Sequence, residues 1–200
     1  MPRMKMRKGA CVPFPEEFFE GYAKRGHSII ANVGADKLLD LFKKFIVAHD
    51  EPLFFILELP TNRNDEIGMR SGVNEGLHNN VYYIDGCSQA EAMGIIEQYG
   101  QLLINDGMCA FGFGGHFSHD ELMVGKYNVV TGFSKNPSAF DKIFGELGIG
   151  LEKEIVTAWN TFNQEHPGVS NSVVTDGHSV YELPELLKER GMYFAERRQQ

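Results

Sequence analysis

Two histidines and two carboxylates fall within six residues of this chain, in the segment His116-Phe-Ser-His119-Asp120-Glu121. Imidazole nitrogens and carboxylate oxygens are common ligands of zinc and other divalent ions. We therefore predict His116, His119 and Asp120 as candidate metal ligands, with Glu121 placed to take a proton from a metal-bound water. The spacing is not HExxH, and a catalytic zinc needs three protein ligands. The alternative interpretation is an exposed polar turn.

Two further residues are candidate nucleophiles. Ser118 lies between the two histidines, but no Gly-x-Ser-x-Gly elbow surrounds it. Cys87 directly precedes a predicted helix start, which is a location that lowers the pKa of a thiol. The alternative for Cys87 is a buried residue beside the helix cap.

Long polar loops are the other candidate sites. Residues 61–79 are polar, carry three glycines and show no hydrophobic period. A loop of this length is uncommon inside a compact domain and is commonly functional, although a mobile connector is the alternative. The ligand-binding residues that we predict in this loop are Asp65, Glu66, Arg70, Glu75 and His78. A second polar loop covers residues 163–179.

The predicted helices and strands around these residues follow a recognisable order. Between residues 81 and 162 the hydrophobic pattern reads strand, helix, strand, strand, helix, strand, which is the βαββαβ order of a ferredoxin-like core. A capping box, Ser88 with Glu91, begins the first helix. The last strand, 155–162, is rich in β-branched and aromatic residues, but the preceding residues 151–154 favour a helix instead.

The remaining patterns extend this core into one α+β domain over residues 1–200. They predict N-terminal helices at 15–24 and 36–49, an interior strand at 53–59, a C-terminal helix at 182–189 and an edge strand at 192–194. Residues 1–14 are expected to be a ragged terminus.

Composition narrows the classes of partner. The chain has 200 residues, a formal net charge of −8 and 42 % hydrophobic residues. An acidic surface disfavours nonspecific binding to nucleic acid or to anionic membranes. The three cysteines are odd in number and form no CxxC pair, which favours a reduced, cytoplasmic protein. We expect no cofactor apart from the divalent metal considered above.

The general profile is similar to that of many uncharacterised bacterial proteins, including immunity proteins that neutralise toxins. This resemblance is one of class and covers no specific motif. The leading functional hypothesis is a non-enzymatic module, of immunity or regulatory type, that binds a protein or a small ligand in the bacterial cytoplasm. The alternatives are a divalent-metal-dependent hydrolase built on His116, His119 and Asp120, and a homo-oligomer that associates through the aromatic N-terminal helix.

Overall fold

The centre of the protein is an eight-stranded sheet, seen in a computed structural model that describes residues 2–61 and 78–199. Every neighbouring pair of strands in this sheet is antiparallel. The strands in chain order are β1 Ala10–Cys11, β2 Gly21–Arg25, β3 Ser28–Asn32, β4 Leu53–Pro60, β5 His78–Cys87, β6 Ala110–Gly115, β7 Glu121–Val124, β8 Val129–Phe133, β9 Val169–Ser170 and β10 Tyr193–Gln199. Their order across the sheet is β10-β5-β4-β6-β7-β8-β3-β2, and the short strands β1 and β9 pair separately.

Helices cover one face of this sheet. Within the described ranges they are α1 Ala35–Ala48, α2 Gln89–Asn105, α3 Ala139–Glu146 and α4 Leu183–Leu186. The apolar stripe of α1 is fully buried and includes Phe42, whose ring contacts those of Phe111 and Phe113 on β6. Over the residues described, no helix is both long and apolar enough to cross a membrane.

The register of the strands separates the two faces. One row across the sheet joins Ile84, Phe55, Phe113, Leu122, Gly132 and Ile29, and its apolar members belong to the core beneath the helices. We call this side the covered face. The next row lies on the opposite side, the open face, and joins Tyr193, Tyr83, Ile56, Gly112, Met123, Thr131, Ile30 and Ala23. Neighbouring residues of a strand point to opposite faces, so each strand contributes to both surfaces.

Several elements agree with the sequence-based predictions. The helix expected at 36–49 is α1, and the capping box at Ser88 and Glu91 does begin α2. The interior strand is β4, and the C-terminal edge strand is present but longer, as β10. The coarse prediction of an α+β fold with a mostly antiparallel sheet is confirmed.

The ferredoxin-like arrangement is not confirmed. The predicted fourth strand, 155–162, contains only a short 3-10 turn at Ala158–Asn160. The third strand of that predicted order, which the hydrophobic pattern places at 122–133, is split into β7 and β8 by a turn in which Tyr127 and Asn128 have φ angles of 57° and 61°. In addition, β4 lies inside the sheet, between β5 and β6.

The N-terminal region also differs from expectation. The helix predicted at 15–24 is a 3-10 turn, Pro15–Glu17, followed by β2. The residues before it pack against the domain rather than forming a ragged end, because Met4, Arg7 and Val12 are buried. The backbone N–H of Arg7 donates to the side-chain oxygen of Asn128 at 3.1 Å. These long-range contacts cannot be read from local composition.

Candidate functional site

The residues predicted as a metal site lie in or beside the loop between β6 and β7, but they contact different partners. Nε2 of His116 lies 4.0 Å from a carboxylate oxygen of Asp85. Asp120 lies on the other side of the loop, with Oδ2 3.2 Å from Nε2 of His49. The side chains of His49 and Asp120 are only 10 % and 14 % exposed. The loop therefore divides the cluster instead of gathering it around one point.

The third predicted ligand, His119, is exposed and has a left-handed backbone with φ of 58°. Across the part of the chain that the structure describes, no group of three or more histidines, cysteines, aspartates and glutamates is arranged to hold a metal ion. The metal hypothesis gains no support from this geometry and stays a prediction.

Most of the predicted ligand-binding loop cannot be compared with the structure. Asp65, Glu66, Arg70 and Glu75 lie outside the described residues. His78 begins β5, and its carbonyl oxygen accepts hydrogen bonds from the backbone N–H and the hydroxyl of Thr61, at 2.8 and 3.0 Å. The binding role proposed for this set is therefore still a prediction.

A pocket of about 470 Å³ opens between the end of α1, the start of α3 and the β6–β7 loop. We call it the acidic pocket. Its polar side is formed by His49, Asp50, Glu51, Ser118 and Asp120, and its apolar side by Ala48, Phe117, Ala139, Phe140 and Ile143. Phe117 is 75 % exposed at its rim. Three carboxylates and one imidazole beside aromatic and aliphatic carbon make a concave surface that suits a cation attached to an apolar chain.

Glu51 fastens the β6–β7 loop to the end of α1. Its carboxylate accepts hydrogen bonds from the backbone N–H groups of Phe117 and Ser118, the latter at 3.0 Å. Burial alone would raise the pKa of this carboxyl, but the hydrogen bonds from the Ser118 hydroxyl and from the two amides outweigh it and hold the pKa below its ordinary value. The ionised form of Glu51 is thus the form that orders the loop.

His49 makes a second connection between α1 and the same loop. Nδ1 lies 2.7 Å from the carbonyl oxygen of Phe45, and Nε2 faces Asp120. Both ring nitrogens therefore face oxygen atoms, so the imidazole links the last turn of α1 to the β6–β7 loop.

Asp50 differs from Glu51 and Asp120 because its carboxylate does not connect α1 to the β6–β7 loop. It is exposed, and within the described ranges it forms no hydrogen bond or ion pair. A free carboxylate in the same pocket as the Phe117 ring can pair with an incoming cation without breaking an existing contact. Asp50 and Phe117 are both exposed, so both are accessible to a ligand.

Sequence reasoning identified one half of this pocket and missed the other. Asp120 and Ser118 were singled out, whereas His49, Asp50 and Glu51 were not. His49 and Asp120 are 71 positions apart, so their contact depends on how α1 packs on the sheet. One cue was present, because His49-Asp50-Glu51 is as dense in ionisable groups as the segment that begins at His119.

The cysteine hypothesis can also be judged from the geometry. Cys87 is buried beside the start of α2, and its Sγ lies 3.6 Å from the carbonyl oxygen of Ile84. Burial, followed by the nearby charge of Glu91, raises the pKa of the Cys87 thiol to about 11. The thiol is therefore protonated near neutral pH, which favours the interpretation as a packed cap neighbour.

Comparison of the chain with protein-family models, with curated proteins and with solved structures finds no match. The chemistry of the acidic pocket is therefore the basis for assigning a function.

Proposed function

We propose that the protein is a non-enzymatic binding module, of immunity or regulatory type, that recognises a basic side chain of a protein partner in the acidic pocket. The observation that carries this proposal is the free carboxylate of Asp50 in the same pocket, of about 470 Å³, as the exposed ring of Phe117. On its composition, we propose the bacterial cytoplasm as the place where it acts.

The hydrogen bonds around the pocket support binding rather than catalysis. A general base needs a free lone pair, but both ring nitrogens of His49 are engaged. A serine nucleophile needs an adjacent base, but the hydroxyl of Ser118 bonds the Glu51 carboxylate and accepts the Asp120 N–H at 3.1 Å. His49 and Ser118, the two residues that resemble catalytic groups, thus hold the β6–β7 loop in place.

The charge of the pocket supports a basic ligand. Three carboxylates, those of Asp50, Glu51 and Asp120, line the pocket beside one imidazole, so the pocket carries an excess of negative charge. An ammonium or guanidinium group can pair with Asp50 while its methylene chain lies on Phe117. A cation can also approach the face of the Phe117 ring, an interaction worth about 0.5–1 kcal/mol at an exposed site.

The proposal is tested with a small cation as the probe. Backbone amide resonances of isotope-labelled protein are followed by NMR during titration with n-butylammonium chloride, with sodium butyrate as the anionic control. We expect the amides of Phe117, Ser118 and Asp120 to shift with n-butylammonium and not with butyrate. Asp50→Asn keeps the shape of the side chain, removes its charge and is expected to abolish most of the shift.

The matched control variant is Glu165→Gln, which removes an exposed carboxylate from a different loop. It should leave the n-butylammonium titration unchanged. The proposal fails if butyrate shifts the same amides equally, or if Asp50→Asn and Glu165→Gln behave alike.

A further inference from the structure

A second pocket, of about 360 Å³, continues the acidic pocket along the groove between α1 and α3. We call it the lysine pocket. The two pockets have Ala48 and Ile143 in common, so they lie next to each other. The lysine pocket is lined by Lys43, Lys44, Val47, Ala48, Lys142, Ile143 and Glu146.

The lysine pocket has the opposite charge to its neighbour, although the chain as a whole is acidic. Lys44 already pairs with Glu146 at 2.6 Å, and Lys43 lies 3.5 Å from a carboxylate oxygen of Glu97. Lys142 is exposed and forms no direct ion pair with any described residue, although, after Lys44, its charge helps to lower the pKa of Glu146. One pocket therefore offers an exposed lysine, and its neighbour offers the free carboxylate of Asp50.

Apolar side chains separate these two charges. Val47 is 62 % exposed, although the other large apolar residues of α1 are buried in the core or pack against it. Ala48 and Ile143 form the floor between the two pockets. An exposed apolar strip between opposite charges is what an amphipathic partner element would cover.

The length of the groove favours a helix as that element. Along α3 the two pockets extend from Ala139 to Glu146, which is seven positions or about 10.5 Å along the helix axis. On a partner helix this distance is close to two turns, so residues i and i+7 would meet the two ends. Residues i+3 and i+4 lie on the same face and would rest on Val47 and Ile143.

We propose that the acidic pocket and the lysine pocket form one dipolar groove that binds an amphipathic helix of a protein partner. The helix carries a basic residue for Asp50, an acidic residue two turns away for Lys142, and apolar residues between them. This inference rests on the proposed function, because it assigns the basic residue to the same acidic pocket, and it adds the class of partner.

The experiment measures the binding of three fluorescently labelled helical peptides by anisotropy. They are identical and alanine-rich, with leucines at i+3 and i+4 and a lysine at i, and they differ only at i+7, which is Glu, Gln or Lys. We expect the Lys/Glu peptide to bind tightest and the Lys/Lys peptide weakest. Each change at i+7 should alter the dissociation constant by about twofold to fivefold, as for a single exposed ion pair. The difference should become smaller in 0.5 M salt.

Protein variants assign the preference to Lys142. In Lys142→Glu the order should reverse, so that the Lys/Lys peptide binds tightest. The matched control, Lys188→Glu, changes an exposed lysine near β10 and should keep the original order. Both lysines are exposed, so both variants are expected to fold.

The outcomes separate the two proposals. If all three peptides bind equally, and Asp50→Asn weakens each of them, the dipolar groove is overturned while the basic-ligand function stands. If Asp50→Asn has no effect on any peptide and n-butylammonium fails to bind, the proposed function fails as well. A preference for Lys/Glu that survives Lys142→Glu would also overturn the groove.

Discussion

The covered and open faces of the sheet are made by the same strands but differ in what packs against them. On the covered face, Phe55, Phe113 and Leu122 are fully buried and pack beneath the helices. On the open face, the same strands present Ile56, Gly112 and Met123, which lie outside that core. We therefore expect the covered face to contribute more to stability than the open face, because the large apolar side chains are packed beneath the helices.

The open face is not uniformly bare. At one corner the segment after α3 crosses it, since the side-chain amide of Asn32 donates to the carbonyl oxygen of Val156 at 2.9 Å. Beside this corner a groove of about 360 Å³ has Arg25 and Glu121 in its lining. These two charged side chains distinguish it from the covered face, where the apolar residues of the row belong to the core.

The largest expected effect comes from neighbouring residues of β7 that point to opposite faces. Leu122→Ala removes a fully buried side chain and is expected to lower the free energy of unfolding by about 2–5 kcal/mol. Met123→Ala, one position along, is expected to cost about 1 kcal/mol or less, because this residue is only half-buried. Urea denaturation of both variants measures the difference. Equal losses would contradict the contrast between the faces.

Some elements that build the two faces of the sheet can be predicted from the sequence, and others cannot. The apolar stripe of α1 and the capping box of α2 are local patterns, and both were predicted correctly. The aromatic residues near Tyr22 were read as a helical stripe, whereas Tyr22 lies in β2 and stacks on Phe144 of α3. That choice depends on β2 pairing with β3, which local periodicity does not reveal.

The candidate site was less predictable than the fold for the same reason. The chain shows that residues 116–121 are rich in ionisable groups, but not which other segments they meet. Glu51 accepts hydrogen bonds from the amides of two residues of the β6–β7 loop, 66 and 67 positions away in the chain. In the loop held in this way, His116 and Asp120 contact different partners. A metal site read from adjacency alone could not anticipate this separation.

A smaller effect is expected where the covered face meets the acidic pocket. Glu51→Gln keeps the side-chain shape but replaces the ionised acceptor, so it should destabilise the protein by about 1 kcal/mol and speed hydrogen exchange at Phe117 and Ser118. Because the folded pKa of Glu51 is depressed, its contribution is present above the unfolded pKa and is lost as pH falls through the folded value. Chemical denaturation between pH 3 and 7 should therefore show that the free energy of unfolding of the variant falls less steeply as the pH is lowered. An unchanged pH dependence would contradict the role of this carboxylate.

An alkaline counterpart is expected at the edge of the covered face. The Tyr22 hydroxyl donates to Oδ1 of Asp141 at 2.7 Å, and burial together with this carboxylate raises the pKa of Tyr22 to about 12. The raised pKa means that the stabilisation is complete below the unfolded value of about 10 and is lost as pH rises through about 12. Asp141→Asn should lower the pKa of Tyr22 but leave it above about 10, since burial is the larger cause. NMR titration of ¹³C-labelled tyrosine measures the change, and the Tyr181 resonance, whose pKa is raised mainly by burial, serves as the unaffected control.

The smallest effect is expected for a charge pair on the open face. Arg198 of β10 lies 2.9 Å from a carboxylate oxygen of Glu58 on β4, and the two side chains are 45 % and 18 % exposed. Exposed pairs of this kind contribute little, so Arg198→Ala should cost about 0.5 kcal/mol or less, and a double-mutant cycle with Glu58→Ala should give a similar coupling energy. A coupling above about 1 kcal/mol would mean that the open face is held as firmly as the covered face. In that case the edge formed by β10 would contribute substantially to the stability of the domain. The two faces of the sheet would then no longer differ in how much they stabilise it.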